Sequence, residues 1–255
     1  MDNVAISIKD LGFSYPGQSK NCFSNLNLDI AVGTRFGLFG PNGAGKTTLM
    51  HCMTGLLSYS HGSIRLLGNE IAHHKKAVNK LFGFVPQDFS LYQELSPVQN
   101  LEFFGAWSGM RSGAIKKKIT ELLEVLDLAD VKDKQVHKFS GGMKRRVNLA
   151  IGVINDPRVL FLDEPTVGVD IQTRHAIINY LKQLNRNGTT LIYTSHQLSE
   201  AEELCDKIAL IEDGKIIINN SLEVLLAEHK EDGLEGLYVS LTGKQYKGIE
   251  IVSTG

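Results

Sequence analysis

The chain has 255 residues, 42% of them hydrophobic and 22% charged, with a formal net charge of −1. That composition suits a globular protein of one large α/β domain or two small ones, and the near-neutral balance gives no electrostatic basis for nucleic acid as the main partner. Three scattered cysteines without C-x-x-C spacing, Cys22, Cys52 and Cys205, argue against disulfides or a zinc site and fit a reducing compartment.

Met1–Pro16 lacks the basic-then-apolar pattern of a secretory signal, and no run approaches ~18 consecutive apolar residues, so no direct membrane insertion is expected. Strands are predicted where hydrophobicity alternates, at Val4–Ile8 and Leu26–Ile30, with Gly33 as the turn into a third at Thr34–Phe39. A helix follows over Thr47–Thr54, closed by Gly55, and short strands follow at Ser63–Gly68 and Leu81–Val85.

The texture then turns helical. Ser96-Pro97-Val98-Gln99 is a capping box with proline at the first helical position, predicting a helix from Pro97 to about Gly109. Ala114–Leu128 places Ile115, Ile119, Leu122, Leu123 and Leu126 on one face, with the Lys116-Lys117-Lys118 run expected on the opposite, solvated side. A third helix is expected over Ser140–Asn155. Val159–Leu162 and Thr189–Thr194 are the continuous apolar runs of strands buried on both faces of a parallel sheet, flanked by helices at Ile171–Asn185 and Leu198–Cys205. Ile208–Ile211 and Lys215–Ile218 flank Asp213-Gly214, a hairpin signature.

Gly40-Pro41-Asn42-Gly43-Ala44-Gly45-Lys46-Thr47-Thr48 is a complete G-x-x-x-x-G-K-[ST] phosphate loop, set between the strand and the helix that its chemistry needs. Gly40, Gly43 and Gly45 allow the sharp turns that bring backbone N–H groups onto phosphate oxygens, and the helix dipole points at the same anion. Lys46 neutralises the outer phosphates and the Thr47 hydroxyl ligates Mg²⁺. The chain is therefore expected to bind a nucleoside triphosphate.

Further motifs narrow the chemistry. Asp163, at the end of the Val159–Leu162 run, has the position to reach Mg²⁺ through water, and Glu164 is placed to act as general base on a water in line with the γ-phosphate. Ser140-Gly141-Gly142 opens a helix and makes a second anion cradle. One nucleotide does not need two such helix ends from one chain, whereas two chains facing head to tail give every nucleotide one of each.

These motifs resemble the nucleotide-binding subunits of the ATP-binding cassette family, in the family's order: Gly40–Thr48, Gln87 after Pro86, Ser140-Gly141-Gly142, Val159–Glu164, Asp170 and His196. The resemblance runs from Val4 to about Gly243. It implies that Gln87 contacts Mg²⁺ and the attacking water, that Ser140, Gly141 and Gly142 bind the γ-phosphate held by a second nucleotide-binding subunit, and that Asp170 bridges the two subunits. It also implies that His196 holds the γ-phosphate and orders Glu164, and that Tyr15 stacks on adenine. Phe139 and Met143 stand where leucine and glutamine are usual, without removing a phosphate contact.

The expected fold is α/β: a P-loop NTPase core with a mostly parallel sheet and flanking helices, an N-terminal antiparallel β region and an inserted helical subdomain. As one domain over 1–243, it divides into a core (1–87 and 155–220), a helical insertion (88–154) and C-terminal helices (221–243), followed by a tail (244–255). Glu164-Pro165-Thr166-Val167-Gly168-Val169-Asp170 is similar to the bacterial exporters of drugs, lipids and polysaccharides, whose ATPase and transmembrane permease are often separate chains. The implied protein uses ATP and Mg²⁺ and sits on the cytoplasmic face of the membrane through that permease. The alternative is an ABC-type ATPase serving a soluble machine such as iron–sulfur cluster assembly. A GTPase switch lacks its base-reading motif, since Asn79-Lys80 is followed by Leu81-Phe82.

Overall fold

The computed structural model describes residues 3–18, 21–195, 197–231 and 233–242. Its strands in chain order are β1 (Val4–Phe13), β2 (Phe23–Ala31), β3 (Arg35–Phe39), β4 (His61–Leu66), β5 (Asn69–Glu70), β6 (Phe82–Val85), β7 (Val159–Asp163), β8 (Thr190–Thr194), β9 (Lys207–Glu212) and β10 (Lys215–Ser221). The helices are α1 (Lys46–Met53), α2 (Lys75–Val78), α3 (Pro97–Trp107), α4 (Ser112–Val125), α5 (Gly141–Val153), α6 (Ile171–Arg186), α7 (Leu198–Leu204), α8 (Leu222–His229) and α9 (Leu234–Thr242). The predicted α/β class is met, with an antiparallel N-terminal region and three successive helices, α3 to α5, inserted between β6 and β7. His196, Gly243 and the tail 244–255 lie outside the described residues.

The chain forms two compact units, residues 1–72 with 192–255 and residues 73–191, and the boundary falls inside β8. In the first unit, β2-β1-β4-β5 is an antiparallel sheet. Alternation along β1 and β2 buries Ile6, Ile8, Leu28 and Ile30 on one face and leaves polar neighbours such as Asp29 outside. In the same unit β3 pairs in parallel with β9, and β9 pairs antiparallel with β10. The β9–β10 turn is the predicted Asp213-Gly214, at φ of +46° and +72°. Positive φ at both central residues matches the right-handed twist of the flanking strands, which is why this dipeptide marks a hairpin. α1 buries Leu49, Met50, Cys52 and Met53 and ends at Met53, two residues before Gly55 at φ of +71°.

In the second unit, β6 and β7 run parallel, with Phe82 opposite Val159 and Val85 opposite Leu162. All five β7 residues are buried, as its unbroken apolar run demands. α3 begins on the predicted capping box: Ser96 Oγ accepts from Gln99 N at 3.3 Å, and Gln99 Oε1 accepts from Ser96 N at 2.9 Å. All five predicted positions are buried, four of them on α4 and Leu126 just past its end, and the helix stops before Leu128, with Asp127 at φ of +52°. One expectation is corrected. Lys116 and Lys117 are exposed, but Lys118 is buried and pairs with Glu121 at 2.9 Å and Asp156 at 2.6 Å. Position 118 follows Ile115 by three and precedes Leu122 by four, so it shares the apolar face, and only its paired ammonium makes that burial tolerable.

α5 lies on β6 backbone to backbone. A Cβ at Gly83 would stand 1.8 Å from Gly152 O, and one at Gly152 would stand 2.4 Å from Val85 Cγ2. No side chain fits there without moving the helix. Gly83→Ala is therefore expected to lower the unfolding free energy by about 2–4 kcal/mol. Urea unfolding checks this, as a lower midpoint at unchanged slope.

Candidate functional site

In the first unit, β3 delivers the chain into the phosphate loop and α1 leaves it. Gly45 caps α1 at φ of +106°, and a Cβ there would stand 2.7 Å from the Phe23 ring. Both facts require glycine. Gly45 has no side chain to cap α1, whereas α3, α5, α6 and α8 carry side-chain caps. The start of a helix presents the positive end of its dipole, the arrangement that a phosphate completes.

Lys46 is buried and its Nζ donates to Gly40 O at 2.8 Å and Pro41 O at 3.1 Å, so the ammonium is held over the loop rather than out in solvent. Thr47 is exposed while Thr48 is buried. Asn42 and Gly43 are exposed, Pro41 is half-buried and Ala44 is buried. Tyr15 donates to, or accepts from, Thr48 Oγ1 at 2.9 Å and meets the Phe13 ring edge-on at 4.9 Å, so its exposed ring is fixed beside α1.

In the second unit, the predicted carboxylates close β7. Asp163 is its last residue, and Asp163 and Glu164 are both buried. Glu164 takes φ of +51°. A non-glycine residue held in the left-handed region costs about 1–3 kcal/mol, and such strain concentrates at functional sites. Gln87 Nε2 donates to Glu164 Oε2 at 3.1 Å, bringing together two side chains 77 positions apart.

Ser140 caps α5: its Oγ accepts from Met143 N at 3.3 Å, which leaves its O–H as a donor. Ser140 and Gly141 are exposed, and Phe139 is buried behind them. A Cβ at Gly142 would lie 3.3 Å from Thr173 Oγ1 and 3.5 Å from Asp170 Oδ2, so this cradle adjoins the start of α6. Asp170 caps α6, accepting from Thr173 N at 2.9 Å and Thr173 Oγ1 at 2.7 Å. The backbone and hydroxyl of Thr173 hold its carboxyl below the usual carboxylate range.

Two residues of α5 were missed in the sequence. Asn148 accepts from Ser90 N at 3.1 Å and donates to Pro86 O at 3.2 Å, while Arg145 Nη1 donates to Gln87 O at 2.7 Å. Together they clamp the segment around Gln87. Both are polar positions in an amphipathic helix, and the pattern does not show which polar side chains turn inward.

The ABC transporter family model matches residues 23–167, more than half of the chain. The chain belongs to the ABC transporter family. As a cassette it is 40% identical over 198 residues to the linearmycin resistance ATP-binding protein LnrL of Bacillus subtilis (strain 168), covering 78% of this chain and 64% of that one. It is 39% identical over 229 residues to the Nod factor export ATP-binding protein I of Rhizobium sp. (strain N33), covering 90% and 75%. The chain thus spans about two thirds to three quarters of the length of these relatives. A solved ATP-binding subunit of an ABC transporter superposes with a TM-score of 0.86 at 25% identity, over 93% of this chain and 99% of that one. The chain carries the ATP-binding cassette of that family.

Replacing Lys46 by Ala is expected to weaken ATP binding roughly 100-fold, since a charge-assisted contact to phosphate contributes on the order of 3 kcal/mol. The same variant is expected to lose most of the ATP-induced rise in melting temperature.

Proposed function

We propose that the chain is the ATPase subunit of an exporter, dimerising head to tail around two ATP molecules and driving a separate transmembrane permease from the cytoplasmic face of the membrane. The observation that carries this reading is the Gln87–Glu164 pair at the end of β7, in a chain that also bears an uncapped phosphate loop and an exposed Ser140-Gly141 cradle.

In this reading Gly40–Thr48 holds the phosphates, Lys46 neutralises them and Tyr15 stacks on adenine. Thr47 and Gln87, with Asp163 through water, would hold Mg²⁺, which supplies charge neutralisation on the phosphate oxygens. Glu164 accepts a proton from water as the water oxygen attacks the γ-phosphorus, and the bond to the ADP oxygen breaks. Gln87, through its amide contact, holds the Glu164 carboxylate in place. His196 orders Glu164 and contacts the γ-phosphate, a role that rests on the family resemblance alone. Ser140, Gly141 and Gly142 complete the nucleotide of the second subunit, and the exposure of Ser140 and Gly141 supports this. Asp170 lies beside that cradle and bridges the subunits.

The helical insertion, residues 88–154, moves with the Gln87 segment during the cycle. The partner surface lies on Phe89–Leu95, where exposed Tyr92 packs edge-on against Phe103 at 4.9 Å between ring centres. An exposed aromatic cluster of this kind is typical of a docking surface.

Glu164→Gln is expected to keep ATP affinity and to lower the hydrolysis rate about 10²- to 10⁴-fold, the range for loss of a general base. Single-turnover hydrolysis with bound ATP measures it, and near-normal turnover would remove Glu164 from that role. Replacing Tyr92 and Leu95 together by Glu is expected to abolish copurification with the permease. Retained assembly would move the partner surface elsewhere.

A further inference from the structure

Arg145 is a buried cation of the second unit that the motifs above do not use. It lies on α5, five residues after Ser140, and is 5% exposed. Its guanidinium reaches three places at once. Nη1 donates to Gln87 O at 2.7 Å, Nη2 donates to Val167 O at 3.3 Å, and the central carbon stands 4.7 Å from the centre of the Phe89 ring. Gln87 in turn holds Glu164, and Val167 lies in the loop that runs from Glu164 to Asp170.

Stability alone is a poor account of this residue. Nε finds no acceptor among the described residues, and burial lowers the Arg145 pKa although the charges of Glu164 and Asp88 act to raise it. A buried ion that its surroundings only partly compensate is weak evidence for stabilisation. The planar fork does supply rigid geometry, because two carbonyls on different segments are fixed by one side chain whose backbone belongs to a third.

We propose that Arg145 is a positioning residue that ties the Gln87–Glu164 pair and the Val167 loop to the helix opened by Ser140. It joins the cradle that closes over one nucleotide to the general base that acts on the other. This rests on the function proposed above. A displacement of α5 when Ser140 engages the nucleotide of the second subunit is passed through Arg145 to the Gln87 and Val167 carbonyls, and so to the Glu164 carboxylate. The completed far site thereby sets the geometry of the near one.

The test uses the full chain with ATP, comparing wild type, Arg145→Met, Arg145→Lys, Gln87→Ala and the Gln87→Ala/Arg145→Met double variant. Nucleotide affinity comes from titration with a fluorescent ATP analogue, and kcat from phosphate release. Arg145→Met is expected to lose about 10- to 100-fold in kcat while the nucleotide Kd stays within about two-fold. Arg145→Lys recovers part of the loss, because an ammonium bonds one carbonyl where the fork bonds two. The double variant is expected to be no slower than the slower single variant, within about three-fold, as for residues acting through one unit.

Turnover of Arg145→Met within about two-fold of wild type would overturn the positioning role, as would losses that multiply in the double variant or affinity falling in step with kcat. Should Arg145→Met fail to fold, Arg145→Lys and Phe89→Leu carry the comparison, each expected to lose kcat at unchanged Kd. Glu164→Gln serves as the reference. Wild-type turnover that ignores Glu164→Gln sinks the site assignment itself, whereas turnover that needs Glu164 but ignores Arg145 sinks only the coupling.

Discussion

The second unit depends on one close approach, the contact of α5 with β6 at Gly83 and Gly152, where backbone meets backbone without intervening side chains. That contact brings the exit of β6 to the inner face of α5, so Asn148 and Arg145 can reach the carbonyls of Pro86 and Gln87. The parallel pairing of β6 with β7 then sets the end of β7, and with it Glu164, within hydrogen-bond reach of Gln87. A wider helix–strand spacing would leave those carbonyls unsatisfied and the Gln87 amide without its partner. The chemistry of this unit is thus a consequence of packing distance before it is a consequence of charge.

The first unit works by a different economy. At the Gly40–Thr48 loop α1 starts without a side-chain cap, on a left-handed glycine, with a buried lysine folded over the loop. α5 and α6 are both capped by their own residues, Ser140 and Asp170. Ser140 accepts from the Met143 N–H of its own helix and still has its O–H to donate.

Strain and burial coincide at Glu164, which combines a left-handed backbone with a buried carboxyl at the end of a fully buried strand. Gln87 holds the Glu164 carboxylate at that turn, and Arg145 of the helix that begins at Ser140 holds the Gln87 carbonyl.

Much of this was determined by the sequence alone. The phosphate loop, the Ser140 cradle, Asp163-Glu164 and Asp170 are local patterns, legible because their chemistry depends on backbone conformation within a few residues. Alternation in β1 and β2, the unbroken apolar run of β7, the Ser96 capping box and the Asp213-Gly214 turn were legible for the same reason. Tertiary structure alone decided which polar side chains of an amphipathic helix turn inward. Lys118 joined the apolar face because Glu121 and Asp156 were there to receive it, and Arg145 and Asn148 became clamps because the Gln87 segment lay within reach. A helical period gives the direction of a side chain; the partner that makes its burial affordable comes from a part of the chain that the period does not see.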